Sequence, residues 1–148
     1  MAGDTFNVPT RFESKAAPPT DRTWAGVCQE VYDGDTITVA LDLGFGHWFR
    51  TQLRLAGIDA PEVRGAEKLQ AEVSRDYLRR RLLGKWCIVH CGRHEFEKYG
   101  RVLGRVFISE GGKWIDLSVE MVTAGMARPY LEDRDETLLP VPANPEPA

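Results

Sequence analysis

Three strand-like runs follow one another with only turn residues between them, and this pattern restricts the architecture more than any other feature of the chain. WAGVCQEVYDGDT alternates apolar and polar residues around Val27 and Val31. ITVALDL follows at once and is rich in β-branched residues, and HWFRTQLRLAGI supplies the third run. Links this short join antiparallel neighbours, so the three runs make a meander. The first link, DGD, is turn chemistry, and Gly34 can take a positive φ there where other residues cannot. LGFG makes the second turn.

The next segment changes period. In AEKLQAEVSRDYLRRRLLG, Leu69, Val73, Tyr77 or Leu78, and Leu82 recur at helical spacing, and Gly84 ends the helix. KWCIVHC and GRVLGRVFIS are two further strands. EGGK turns the chain into WIDL, where Asp116 caps a short helix, LSVEMVTAGM, closed by Gly125. Trp86 and Trp114 flank turns and are expected to pack between barrel and helix. The order βββ-α-ββ-α predicts a mainly β, α+β fold: a five-stranded Greek-key barrel of the oligonucleotide-binding layout with two helices packed on it.

The chain has 148 residues, enough for one ordinary domain. Residues 1–22 read as a loose polar arm and 23–130 as the domain. Residues 131–148 form an acidic tail whose last stretch, LLPVPANPEPA, carries four prolines. No run approaches the roughly 20 apolar residues of a membrane helix. The N-terminal segment has no apolar core of a secretory signal, so a cytoplasmic location without membrane association is expected. An odd set of cysteines, Cys28, Cys87 and Cys91, argues for reduced thiols rather than a disulfide framework. In CIVHCGRH, Cys87, His90, Cys91 and His94 superficially resemble a zinc cluster. Within a strand, however, Cys87 and Cys91 face one side and His90 the other. The net charge of −3 hides a division: residues 64–105 hold eleven Lys or Arg against five acids, while the tail is strongly acidic. The arginine-rich stretch RDYLRRRLLGK reads either as a solvated helix face or as a ligand-facing one.

Charged residues gather where strands meet turns: Asp33 and Asp35 in YDGDT, Arg54, Asp59 and Glu62 in RLAGIDAPE, Lys98 and Arg101 in EKYGR. If these ends converge, Asp35, Asp59 and Glu62 make an oxygen cluster suited to a hard divalent cation. Two arginines beside a carboxylate–metal site match phosphodiester hydrolysis, and a surface ion-pair network is the alternative on composition alone. Residues five apart on a regular strand face opposite sides, so Arg54 and Asp59 share a site only if the strand breaks between them. Gly57 is the natural place for the break.

DGDT at 33–36, RLAGIDAPE at 54–62 and KYGR at 98–101 resemble, in spacing and order, the motifs of the thermonuclease or staphylococcal-nuclease-like domains. The resemblance covers about residues 24–130. It implies a Ca²⁺-dependent nuclease acting on DNA, RNA or both, with Mg²⁺ or Mn²⁺ as alternative ions. By position, Asp35 and Asp59 correspond to the direct calcium ligands, with Ala60 offering its backbone carbonyl where the family often has threonine. Glu62 corresponds to the residue that activates or positions water, Arg54 and Arg101 to the phosphate-binding pair, and Asp33 to an acid standing behind the ligands. Lys98 and Tyr99 resemble groups that contact a neighbouring phosphate, and Tyr130 resembles a nucleotide-stacking tyrosine. Two departures stand out: the link VRGA after Glu62 is short where the best-known member has a longer basic loop, and LEDRDET leaves little room for a third helix. The competing reading is a catalytically weak or silent module of the same fold that binds nucleic acid or joins an assembly. All five acid and arginine positions are filled, which favours the enzyme. The chain is expected to be a monomer, with its tails as the means of joining a larger assembly.

Overall fold

The computed structural model describes residues 21–62 and 67–130, the side chains of 93–95 excepted. The arm up to residue 20, the link at 63–66 and the acidic tail at 131–148 lie outside the described residues, as does the side chain of His94. In chain order the elements are β1 (Thr23–Asp33), β2 (Thr36–Gly44), β3 (His47–Leu55), β4 (Ile58–Asp59), α1 (Lys68–Leu82), β5 (Trp86–Phe96), β6 (Val102–Glu110), β7 (Lys113–Asp116), α2 (Leu117–Thr123) and β8 (Arg128–Pro129).

The first three strands form the expected antiparallel meander, with β5 running antiparallel beside β1 and β6 beside β5. A parallel pairing of β3 with β6, Leu53 opposite Val102 and Leu55 opposite Gly104, closes these five strands into a barrel. β7 returns as a hairpin on β6, and the short strands β4 and β8 pair separately. Strand alternation fills the interior: Ile37, Val39 and Leu41 from β2, Leu53 and Leu55 from β3, Val89 from β5, and Val106 and Ile108 from β6. Leu78 and Leu82 of α1 and Leu117 and Met121 of α2 join the same cluster. Burial of such side chains contributes about 1.5–3 kcal/mol each.

The face of α1 differs from the expected one. Ala71, Ser74, Leu78 and Leu82 are buried, whereas Leu69 and Val73 are exposed. Small residues let the first half of the helix approach the barrel backbone closely, and only the second half inserts large side chains. Two basic residues of α1 serve the fold: Arg81 pairs with Glu110 and Glu120, and Arg79 donates to the Val31 carbonyl at 3.2 Å. Gly84 follows the helix at φ +73°.

Asp116 caps α2 as expected, accepting from the backbone N–H groups of Ser118 and Val119 at 2.9 and 3.4 Å. It also forms a buried ion pair with Arg105. Burial raises the Asp116 carboxyl against the pull of that guanidinium. Trp86 is partly exposed, sits opposite Val27 and has its ring 5.9 Å from that of Trp48. Cys28, Cys87 and Cys91 are free thiols in the core, while His90 faces away from them, its Nδ1 3.1 Å from the Asp21 carbonyl oxygen. Among the described residues no helix is long and apolar enough to cross a membrane.

Candidate active site

One end of the barrel gathers the three charged segments. Thr36 is in register with Arg54, and the Leu55 N–H donates to the Asp35 carbonyl at 2.8 Å, which ties the β1–β2 turn to the end of β3. Arg101, entering β6, donates from Nη1 to the Thr36 hydroxyl at 3.3 Å. The turn does not use the backbone freedom of its glycine, because Gly34 is not at positive φ. A Cβ there would collide with the Ser74 hydroxyl on α1 and lie 2.8 Å from Ala60 Cβ. Glycine is required by the close approach of the helix and the 58–60 segment, not by backbone handedness.

Asp35 is the centre of the arrangement. Its Oδ2 accepts the Ala60 N–H at 2.9 Å, its Oδ1 accepts the Thr36 hydroxyl at 3.0 Å, and Arg54 Nη2 lies 3.9 Å from Oδ2. Asp33, Asp35 and Arg54 are all nearly buried, with 7, 7 and 8% exposure. Asp33 Oδ1 accepts the Asp35 backbone N–H at 3.1 Å and so fixes the turn. Burial, and then the neighbouring Asp35, push the Asp33 carboxyl up to about 7.

The chain breaks after β3 where the sequence suggested. Gly57 sits at φ +83°, and Ile58 and Asp59 leave the barrel sheet to pair with Pro129 and Arg128. The break lets Arg54 Nη2 donate to the Ile58 carbonyl at 2.8 Å, beside Asp59. Tyr130, whose N–H donates to the Gly57 carbonyl at 2.8 Å, faces the Arg54 guanidinium with its ring centre 5.1 Å away.

Arg101 is held by Glu97. Its Nε and Nη2 donate to the two carboxylate oxygens at 3.2 and 3.1 Å. The hydrogen bond that Arg101 donates to Glu97, ahead of the cost of burial, raises the Arg101 guanidinium further. Tyr99 is exposed and has two cations near its ring, Lys98 Nζ at 5.2 Å and the Arg101 guanidinium carbon at 5.8 Å from its centre.

Asp59 and Glu62 stand on the open side. Asp59, Ala60, Glu62 and Arg128 help to line a cleft of about 640 Å³ between the 59–62 segment, the start of α1 and the turn after α2. The donor chemistry fits a hard cation: Asp35 and Asp59 are oxygen donors on segments tied together by the Ala60 N–H to Asp35 hydrogen bond, and Asp33 and Asp35 form a buried acid pair whose repulsion a cation relieves. Among the described residues, however, no three His, Cys, Asp or Glu side chains gather closely enough to hold an ion. The Asp59 carboxylate is instead drawn to Arg128, whose Nη2 and Nε donate to Oδ2 at 3.0 and 3.2 Å.

Three contributors escaped the sequence reading. Glu97 stands four residues before Arg101 in the same short turn, a spacing visible in EKYGR. Thr36, the last letter of DGDT, bridges Asp35 and Arg101. Arg128 had no signal, because it reaches Asp59 only through the β4–β8 pair.

A family described as staphylococcal nuclease homologues matches residues 52–139. Endonuclease YhcR of Bacillus subtilis (strain 168) is 33% identical over 128 residues, covering 80% of this chain and 10% of that protein. Probable endonuclease LCL3 of Komagataella phaffii (strain GS115 / ATCC 20864) is 37% identical over 81 residues, covering 53% of this chain and 35% of that protein. An uncharacterized endonuclease of Escherichia coli is 29% identical over 129 residues, covering 82% and 76% of the respective chains. The chain thus spans 10% and 35% of the length of the first two of these relatives.

Proposed function

The chain belongs to the family of staphylococcal nuclease homologues, and from that premise we propose that it is a nuclease hydrolysing phosphodiester bonds of DNA, RNA or both with a divalent cation. Ca²⁺ is the first candidate, and Mg²⁺ and Mn²⁺ are the alternatives. The observation that carries the reading is the pair of guanidinium groups set about one buried carboxylate. Arg54 lies 3.9 Å from Asp35, and Arg101 is linked to it through the Thr36 hydroxyl. The endonuclease names of three relatives support the same chemistry.

Asp35, Asp59 and the Ala60 carbonyl would hold the cation, which when bound screens phosphate charge and polarises a phosphoryl oxygen. Asp33 fixes the Asp35 backbone and so its aim. Arg54 and Arg101 present paired N–H donors to the phosphate oxygens and stabilise the charge that grows in the transition state. Glu62, exposed at the cleft, orients the attacking water or takes its proton. Lys98 and Tyr99 hold a neighbouring phosphate on the outer side of Arg101.

The test is degradation of single-stranded DNA and of RNA with added Ca²⁺, beside a chelator control and an Asp35→Ala/Glu62→Gln double variant. Cation-dependent cleavage lost in the variant is the expected result. Retained binding without cleavage would instead support the silent binding or assembly module. Arg54→Ala and Arg101→Ala are each expected to lower turnover strongly in a folded protein, and unchanged turnover would remove that residue from the mechanism.

A further inference from the structure

Asp59 already has a cation, and it belongs to the chain. The register of β4 on β8 sets Asp59 opposite Arg128, and two N–H groups of that guanidinium converge on a single carboxylate oxygen. Only the side chain is loose: Arg128 is 80% exposed there and Asp59 31%. The backbone around it is tied down. The Met126 and Ala127 N–H groups donate to the Met121 carbonyl at 2.8 and 3.2 Å, and the Ser74 hydroxyl donates to the Met126 carbonyl at 2.8 Å. The guanidinium therefore leaves Asp59 by side-chain rotation alone, with the strand in place.

We propose that Arg128 is an internal counter-cation for Asp59, which a divalent ion must displace to complete its site. This rests on the metal-dependent reading above. An exposed ion pair of this kind is worth about 0.2–1 kcal/mol. A divalent ion that also engages Asp35 and backbone oxygen outcompetes a pair that weak. Arg128 thus keeps Asp59 paired when the ion is scarce and raises the ion concentration at which the site fills. It is a positioning residue acting through Asp59. Once displaced, its guanidinium remains on the wall of the cleft that also carries Glu62 and Glu67.

The experiment is a calorimetric Ca²⁺ titration of the full chain at low ionic strength, with Arg128→Gln, Arg128→Ala and Arg128→Lys beside the wild type. Both neutral variants are expected to bind Ca²⁺ about two- to fivefold more tightly, the factor that an exposed pair corresponds to. Arg128→Lys keeps the charge and should stay within about twofold of the wild type, and added salt should narrow all the differences by screening. Should Arg128→Ala fail to fold, Arg128→Gln carries the test, since it retains the stem and the backbone pairing. Ca²⁺ binding by the wild type that is no tighter in Arg128→Gln overturns the counter-cation while leaving the metal reading intact. An absence of Ca²⁺ binding in every protein overturns both.

Discussion

Glu97 holds Arg101 from two directions: its carboxylate accepts from the guanidinium at 3.2 and 3.1 Å and from the Arg101 backbone N–H at 3.0 Å. The backbone closes the same turn, with the Glu97 N–H donating to the Arg101 carbonyl at 2.8 Å. In the proposed mechanism Arg101 meets phosphate oxygens in pairs, and such a fork works only if its plane is fixed beforehand. Glu97→Gln removes the charge but not the shape. It should lower kcat about tenfold, the equivalent of one charge-assisted hydrogen bond, with little change in KM. Steady-state cleavage of single-stranded DNA with saturating cation checks this, and an unchanged kcat would show that Arg101 needs no holder.

The same pair gives a pH dependence of stability. Burial alone would raise the Glu97 carboxyl, but Arg101 and the surrounding N–H groups hold it below its ordinary value of 4.5. A depressed folded value means that the contribution is fully present above the unfolded value and is lost as pH falls through the folded one. The wild type should therefore exceed Glu97→Gln in urea midpoint at about pH 6, and the gap should close as pH drops below about 4.5. A gap that persists to about pH 2 would mean that the ion pair is not its source.

Gly34 separates two physical explanations of one residue. If a positive φ were required, asparagine would be the best replacement. The close contact with Ser74 and Ala60 predicts the opposite order, with Gly34→Asn worse than Gly34→Ala because it is larger. Gly34→Ala should cost about 1–3 kcal/mol, typical of overpacking, and Ser74→Gly should recover part of it. Thermal melts of the three variants decide the order.

What the sequence made legible was what lies within one local segment. The meander shows in alternation and tight links, the cap of α2 in Asp116, and the bend in an isolated Gly57. The two-residue strands β4 and β8 are too short to leave a period, so nothing marked Arg128 as the partner of Asp59, 69 residues away. The face of α1 departs from the sequence pattern for a different reason. Counting large apolar residues favours Leu69 and Val73, whereas the helix approaches the barrel through Ala71 and Ser74, whose value lies in their small size. The parallel closure of β3 on β6 follows from the topology of the whole barrel, not from either strand.

The pair of Arg105 and Asp116 shows how the site end is braced from behind. Asp116 neutralises a buried guanidinium and caps α2, and the following Ser118 hydroxyl donates to the Ala56 carbonyl at 2.9 Å, next to the Gly57 bend. Arg105→Ala leaves a buried carboxylate without its partner and should destabilise by about 3–5 kcal/mol. Arg105→Met, paired with Asp116→Asn to keep the cap, should lose less than half of that. Urea denaturation of both variants is the measurement, and equal losses would assign the effect to packing rather than charge.

Tyr130 can serve substrate or protein, and kinetics distinguishes the two. A nucleotide-stacking tyrosine acts on binding, so Tyr130→Ala would raise KM and leave kcat nearly intact. The structure instead sets its ring against Arg54, 5.1 Å from the guanidinium carbon to the ring centre. A ring in that position limits the tilt of the guanidinium as Glu97 limits that of Arg101. The expected result is therefore a fall in kcat of about three- to tenfold in Tyr130→Ala, the factor corresponding to a cation–π contact of about 0.5–1.5 kcal/mol. Tyr130→Phe keeps the ring and should restore most of the turnover, because Arg54 faces the π surface. A large KM change shared by both variants would return Tyr130 to the substrate and leave Arg54 to be oriented by the Ile58 carbonyl and Asp35.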